Sequence, residues 1–238
     1  MTTAILTHAG GRDENQDAAD FVELPGMSCW VLADGLGGHG GGGVASRVTM
    51  ETIHDAFRHD AARSLESLGG YLERANAAVC DRQSQPGLKE MRTTAVVLLS
   101  DGKQARWAHI GDSRLYHLRG GRICFQTEDH SVPQAMSNAG EITPDQIRFH
   151  EDRNRLLRTL GSRESFRPAV NPAPVVLEAG DAFLLASDGF WEYVHETEME
   201  VEFAKSADPA EWLARMERRL RQRATSGHDN YTAIAVWI

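Results

Sequence analysis

The stretch Trp30-Val31-Leu32-Ala33-Asp34-Gly35-Leu36-Gly37-Gly38-His39-Gly40 drives an apolar strand into a glycine-rich loop, and two architectures compete for it. Gly35 to Gly40 matches GxGxxG after a strand and before a helix, the fingerprint of a dinucleotide site, with Asp55 lying 20 residues beyond Gly35. A nucleotide-binding parallel sheet needs that acidic residue at the end of a second strand. Residues 44–79 instead carry two helical patterns with no strand between them, and Asp34 would set an anion against a pyrophosphate. The stretch therefore reads as a buried strand that delivers Asp34 to a sheet edge and is followed by helices.

Outward from it, strand-like runs occupy residues 27–33, 93–99, 106–110, 115–118, 122–125, 182–186 and 231–237. Arg119-Gly120-Gly121-Arg122 reads as a tight hairpin turn, which makes antiparallel pairing natural. One helix is predicted over about residues 43–63. A second carries Leu65, Leu68, Leu72, Ala75 and Val79 as one apolar stripe. Near the C-terminus Asp208 caps a third, with Pro209 in its first turn, Glu211 completing a capping-box-like pattern, and Trp212, Leu213, Met216 and Leu220 on its buried face. Paired helices around mostly antiparallel strands predict a layered α+β sandwich and not a doubly wound sheet. No internal repeat or low-complexity linker interrupts the chain, so residues 1–238 are expected to form a single catalytic domain. Residues 131–161, with Pro133 and Pro144, read equally well as a mobile, partly helical excursion near the site or as a plain surface connection.

Phe183-Leu184-Leu185-Ala186-Ser187-Asp188-Gly189 repeats the design of the opening stretch: an apolar strand, a small residue, then Asp-Gly. Arg12-Asp13-Glu14-Asn15-Gln16-Asp17 and His228-Asp229-Asn230 place further aspartates at strand ends. Carboxylates that converge on one edge repel by roughly 4 kcal/mol per pair at about 4 Å in a medium of effective dielectric 20. Something cationic should sit among them. An all-oxygen ligand set without a Cys or His cluster favours Mg²⁺ or Mn²⁺ over zinc, and glycine after the aspartate lets a main-chain carbonyl approach an ion. The residues read as a two-metal hydrolytic site.

Composition narrows the field. A formal net charge of −9 disfavours nucleic acid, and the basic run from Arg215 to Arg223 reads as a solvated helix face. The apolar runs are too short for a membrane span, and residues 1–11 lack the build of a signal peptide, so a soluble cytoplasmic protein is expected. Cys29, Cys80 and Cys124 share no CxxC spacing and read as reduced core thiols. Cysteine-based phosphatase chemistry needs an arginine six residues after the nucleophile. Gly35, Pro86 and His130 stand there instead, and no GxSxG, Walker A or HExxH motif occurs.

These motifs resemble the metal-dependent protein phosphatases of the PPM type, the type-2C serine/threonine phosphatases, in their compact bacterial form. The resemblance runs in family order through the segments quoted above, Thr93-Thr94-Ala95, Ile110-Gly111-Asp112-Ser113-Arg114, Thr127-Glu128-Asp129-His130-Ser131, Arg158-Thr159-Leu160-Gly161 and Asp229-Asn230-Tyr231-Thr232. It implies a four-layer α-β-β-α sandwich of two antiparallel sheets flanked by helices. It further implies that Asp34 bridges two Mg²⁺ or Mn²⁺ ions, that Gly35 gives a carbonyl to one, and that Asp188 and Asp229 bind the other. Asp17 would orient the attacking water, Asp112 with Asp188 would form a weaker third metal position, and Arg12 would grip the substrate phosphate. The implied reaction is attack of a metal-activated water on phosphoserine or phosphothreonine of a protein, opposing a serine/threonine kinase, by a monomer. His39 is a candidate general acid, although a lone histidine in a glycine loop is also read as incidental. A catalytically weak phosphoprotein-binding pseudophosphatase and a phosphatase of small phosphoesters are the competing functions. Two departures from the family pattern stand out: Arg92 where glycine is usual, and Gly41-Gly42-Gly43 in place of alanine or glutamate.

Overall fold

The structure, a computed structural model, describes residues 1–37, 41–62 and 64–238. In chain order its elements are β1 (Thr2–His8), β2 (Ala18–Leu24), β3 (Met27–Ala33), β4 (Gly35–Leu36), α1 (Gly41–His59), α2 (Leu68–Arg82), β5 (Arg92–Thr93), β6 (Ala95–Ser100), β7 (Gln104–Ile110), β8 (Arg114–Arg119) and β9 (Arg122–Gln126). There follow α3 (Val132–Asn138), α4 (Pro144–Ile147), β10 (Ala169–Val170), β11 (Val175–Val176), β12 (Ala182–Ala186), α5 (Asp188–Trp191), α6 (Glu196–Phe203), α7 (Pro209–Arg223) and β13 (Tyr231–Trp237).

β3 explains the layering. Every one of its residues is buried, because both faces of the strand are covered. Cys29 and Val31 face Ile53, Phe57, Leu68 and Leu72 of α1 and α2. Trp30 and Leu32 face the opposite sheet, where with Val96, Leu98 and Trp107 they meet Leu115, Phe183, Leu185, Ile234 and Val236. One sheet runs β10-β7-β6-β3-β2, with β11 also on β7, and the other β1-β13-β12-β8-β9. All of these pairs are antiparallel. On the outer face of the second sheet, Trp212, Leu213, Met216 and Leu220 of α7 cover Tyr116, Leu184, Ala233 and Ala235. At about 1.5–3 kcal/mol for each large apolar side chain buried, these three apolar layers hold the sandwich together. The α-β-β-α architecture is the one expected.

Several details differ from the sequence reading. The 93–99 run splits at Thr94, whose hydrogen bonds go to Asp34 instead of a ladder. The first helix begins at Gly41, and the two edge strands β1 and β2 had no counterpart in the reading. Of the cysteines only Cys29 is a core thiol; Cys80 is half-buried and Cys124 exposed, because β9 is an edge strand with an open face. The hairpin turn is as read, with Gly120 and Gly121 at φ 58° and 76°, the left-handed pair that a type I′ turn requires. At the start of α7, Asp208 accepts from the Glu211 amide at 2.8 Å while Glu211 reaches back to the Ala207 amide at 2.9 Å.

Candidate active site

β3 and β12 are inner strands of their respective sheets, and each ends one residue before a site aspartate or its serine neighbour. Asp34 has its main chain fully engaged: its amide donates to Thr94 Oγ1 at 3.1 Å, and its carbonyl accepts from Thr94 N at 2.9 Å and Thr93 Oγ1 at 2.7 Å. That fixes where its carboxyl points. Gly35 packs so closely on Gly42 and Gln16 that a Cβ would collide with their carbonyl oxygens, which accounts for glycine at both Gly35 and Gly42. Across the site, Asp188 opens α5 and accepts from the Gly189 amide at 2.5 Å. A Cβ on Gly189 would collide with the Asn230 carbonyl.

Asn230 is the fastener between the two ends of the chain. Its Oδ1 accepts from Gln16 N at 2.8 Å, and its Nδ2 donates to the carbonyls of Ala9 and Glu14 at 2.8 and 2.9 Å. The 9–16 loop is thereby pinned beside Asp229, and Arg12 Nη2 meets Asp229 Oδ2 at 3.1 Å. With side chains 55% and 46% exposed, that ion pair is worth at most about 1 kcal/mol. Arg12 can exchange it for a better anion.

Arg12, Asp34, Gly35, Asp112, Asp188 and Asp229 line one cavity of about 600 Å³. Asp17 lies deeper, 9% exposed, with Oδ2 accepting from Ser187 Oγ at 3.0 Å and Oδ1 buried without a partner among the described residues. His39 lies outside the described residues, so its candidacy has no structural account. Sequence reasoning gave no role to three further residues. Asn154 and Leu156 bring the 131–161 segment onto the cavity wall, as the excursion reading allowed, from a stretch too irregular for periodicity to place. Glu192 stands near Asp188 and is ion-paired to Arg153 at 2.9 Å, so Arg153 also anchors that segment; an acidic residue four positions after Asp188 was the available signal.

The electrostatics ask for a cation. Burial first, then neighbouring carboxylates, pushes Asp34 and Asp112 well above the usual carboxylate range. Burial raises Asp188 to about 6, with Asp229 adding repulsion, and Asp17 to about 7 against the pull of hydroxyl partners. The charge of Asp188 adds to the rise at Asp34, so the two carboxyls disfavour each other's ionised form. Among the described residues no three acidic, His or Cys side chains are grouped closely enough to hold an ion as they stand. The orphaned Asp17 Oδ1 and the hard-oxygen donor set fit Mg²⁺ or Mn²⁺. Behind Asp112, the His130 Nδ1 accepts from Gly111 N at 3.1 Å, and its ring stacks on His109 at 4.6 Å. Burial and that neighbour hold His130 down at about 3, so the turn rests on a neutral imidazole.

The profile of the family described as Protein phosphatase 2C matches residues 7–229. The chain belongs to the protein phosphatase 2C family. It is 31% identical to Protein phosphatase PhpP of Streptococcus pneumoniae over 99% of this chain and 97% of that protein. It is likewise 31% identical to Serine/threonine protein phosphatase PstP of Mycobacterium tuberculosis, over 98% of this chain and 45% of that longer protein. A solved structure of the PstP catalytic domain in complex with two manganese ions superposes with a TM-score of 0.83 at 27% identity, covering 98% of this chain and 96% of that one. As a 2C-family protein phosphatase the chain is a hydrolase, and burial pushes the Cys29 thiol up, away from the thiolate. Among the described residues no helix is long and apolar enough to cross a membrane.

Proposed function

We propose that this phosphatase hydrolyses phosphoserine and phosphothreonine on proteins, with Mg²⁺ or Mn²⁺ bound in the carboxylate-lined cavity. The observation that carries the reading is the group of four buried, mutually repelling carboxylates, Asp17, Asp34, Asp112 and Asp188, gathered beside an arginine whose ion pair with Asp229 is exposed. Asp34, the Gly35 carbonyl, Asp188 and Asp229 would hold two ions, and Asp112 with Asp188 a weaker third. Bound there, the ions supply a nucleophile at neutral pH and neutralise charge on the phosphoryl oxygens.

The residues divide the remaining work. Arg12 offers a planar fork to the substrate phosphate, a contact that guanidinium geometry favours. Asp17, held by Ser187, would orient the attacking water with its other carboxyl oxygen, which is buried without a partner among the described residues. Gly35 and Gly189 let backbone approach where a Cβ would collide. Asn154 and Leu156 wall the side of the cavity on which the rest of a phosphopeptide would lie. The names of PhpP and PstP as phosphatases, together with the manganese-bound PstP domain, support a metal-dependent protein phosphatase, whose phosphorylated substrates a serine/threonine kinase would supply.

The test is phosphate release from phosphoserine and phosphothreonine peptides with Mn²⁺, with Mg²⁺ and with EDTA, beside a small phosphoester. Metal-dependent turnover of the peptides at a kcat/KM well above that of the small ester is expected. Binding of phosphopeptide without turnover would point to a pseudophosphatase instead.

A further inference from the structure

We infer that Trp191 is a positioning residue that holds Asp112 and Asp188 in register, and that Arg148 links it to the segment containing α4. The inference rests on the metal reading above. Trp191 is the last residue of α5, whose first residue is Asp188. Its side chain is 2% exposed, and its indole Nε1 donates to the main-chain carbonyl of Asp112 at 2.9 Å. The same residue is thus joined through a four-residue helix to one cavity carboxylate and through a buried hydrogen bond to the turn carrying another.

Two guanidinium groups lie over that indole. Arg114 Cζ stands 3.4 Å from the ring centre and Arg148 Cζ 5.3 Å. Arg114 is itself fixed, donating to both oxygens of Asp129 at 2.8 Å. Arg148, at the C-cap of α4, donates to both oxygens of Glu196 at 2.8 Å and to the Val194 carbonyl at 3.4 Å. Cations over an indole face are attracted by its quadrupole, so the ring is held from above and cannot tilt without breaking those contacts.

A brace has a place here because Asp112, in the turn after β7, and Asp188, at the start of α5, come from segments far apart in the chain. Packing alone would ask only for a large aromatic side chain. The indole N–H adds a directed bond to the Asp112 turn, and phenylalanine would fill much of the same volume without it.

The experiment uses the full chain, stripped of metal and titrated with Mn²⁺ by calorimetry, alongside thermal unfolding and phosphothreonine-peptide kinetics. The variants are Trp191→Phe and Arg148→Met. In W191F the tight Mn²⁺ steps stay as in wild type. Its weakest step and the Mn²⁺ midpoint of kcat move up roughly fivefold, the scale of one neutral hydrogen bond. Peptide KM stays close to wild type, and R148M moves the midpoint in the same direction by less. A folded W191F with the wild-type isotherm and midpoint, even with a lowered Tm, would reduce Trp191 to packing and overturn the inference. Should W191F fail to fold, R148M carries the test by the same readouts, and an unshifted midpoint there overturns the link. Wild-type protein that binds no Mn²⁺ would remove the metal reading itself, a result distinct from an unaltered W191F.

Discussion

Arg12 and the glycines make opposite kinds of contribution to the site. Arg12 is half-exposed and only loosely paired to Asp229, so its loss should leave the cavity standing. Arg12→Ala is expected to lower kcat/KM on phosphopeptide by at least roughly tenfold, the scale of a charge-assisted contact, while calorimetric Mn²⁺ affinity stays near wild type. Equal kinetics would take Arg12 out of phosphate binding. Asp34→Asn should do the reverse, removing Mn²⁺ affinity and, with it, several orders of magnitude of kcat. Gly189→Ala tests backbone packing without touching a side-chain donor, since the added methyl would strike the Asn230 carbonyl. Both Asp188 and the Asn230 fastener would shift, and a folded protein with most of its turnover lost is the expected result. The positions of these residues were legible because Asp-Gly after a buried run is a pattern with a steric cause. Asn230 was legible only as part of a motif, since nothing in its sequence neighbourhood announces that it reaches back to Ala9, Gln16 and Glu14.

At the level of elements, short polar contacts hold what the apolar layers do not reach. Arg114 at the start of β8 and Asp129 in the following loop form a bidentate pair with side chains 5% and 2% exposed. Asp129→Asn leaves a buried guanidinium short of its partner and should cost about 3–5 kcal/mol, seen as a lowered midpoint in urea unfolding. Asp208→Ala, by contrast, removes only the cap of α7, far from the cavity; a loss of about 1 kcal/mol with unchanged kcat is expected. Elements with strong periodicity were readable: β3, β12 and β13 fall at the residues predicted, and α7 begins at its cap. The edge strands β1 and β2 escaped because most of their residues are half-buried or exposed, so neither an apolar run nor a clean alternation marks them. The 131–161 segment escaped for a different reason. Its anchors, Arg148 to Glu196 and Arg153 to Glu192, are ion pairs across distant parts of the chain that no local pattern encodes.

Taken as a whole, the metal-free molecule carries an electrostatic load that varies with pH. The folded chain holds Asp17 at about 7 and Asp188 at about 6, chiefly by burial, with Asp34 and Asp112 raised as well, against an ordinary value of 3.8. Folded protein therefore keeps protons that the unfolded chain has released, and stability is fullest below the ordinary carboxylate value and drains as pH climbs towards 7. Groups held low, such as Asp181 and Glu198, push the other way in the presence and absence of metal and cancel in the difference. The rise in Tm on adding Mn²⁺ to EDTA-treated protein should grow between pH 5 and pH 7 on that account. A rise independent of pH would contradict the proton-for-ion exchange. A last consequence concerns synthesis. β1 pairs with β13 along its full length, from Thr2 opposite Trp237 to His8 opposite Tyr231, and Arg12 and Asp229 sit just beyond that zipper. A ribosome that has completed α5 has made Arg12, Asp34 and Asp188 but has not yet supplied Asp229, Asn230 or β13, the strand that joins β1 to β12. Nascent chains are accordingly silent, and dephosphorylation begins only once β13 has emerged and closed a contact of very long sequence separation.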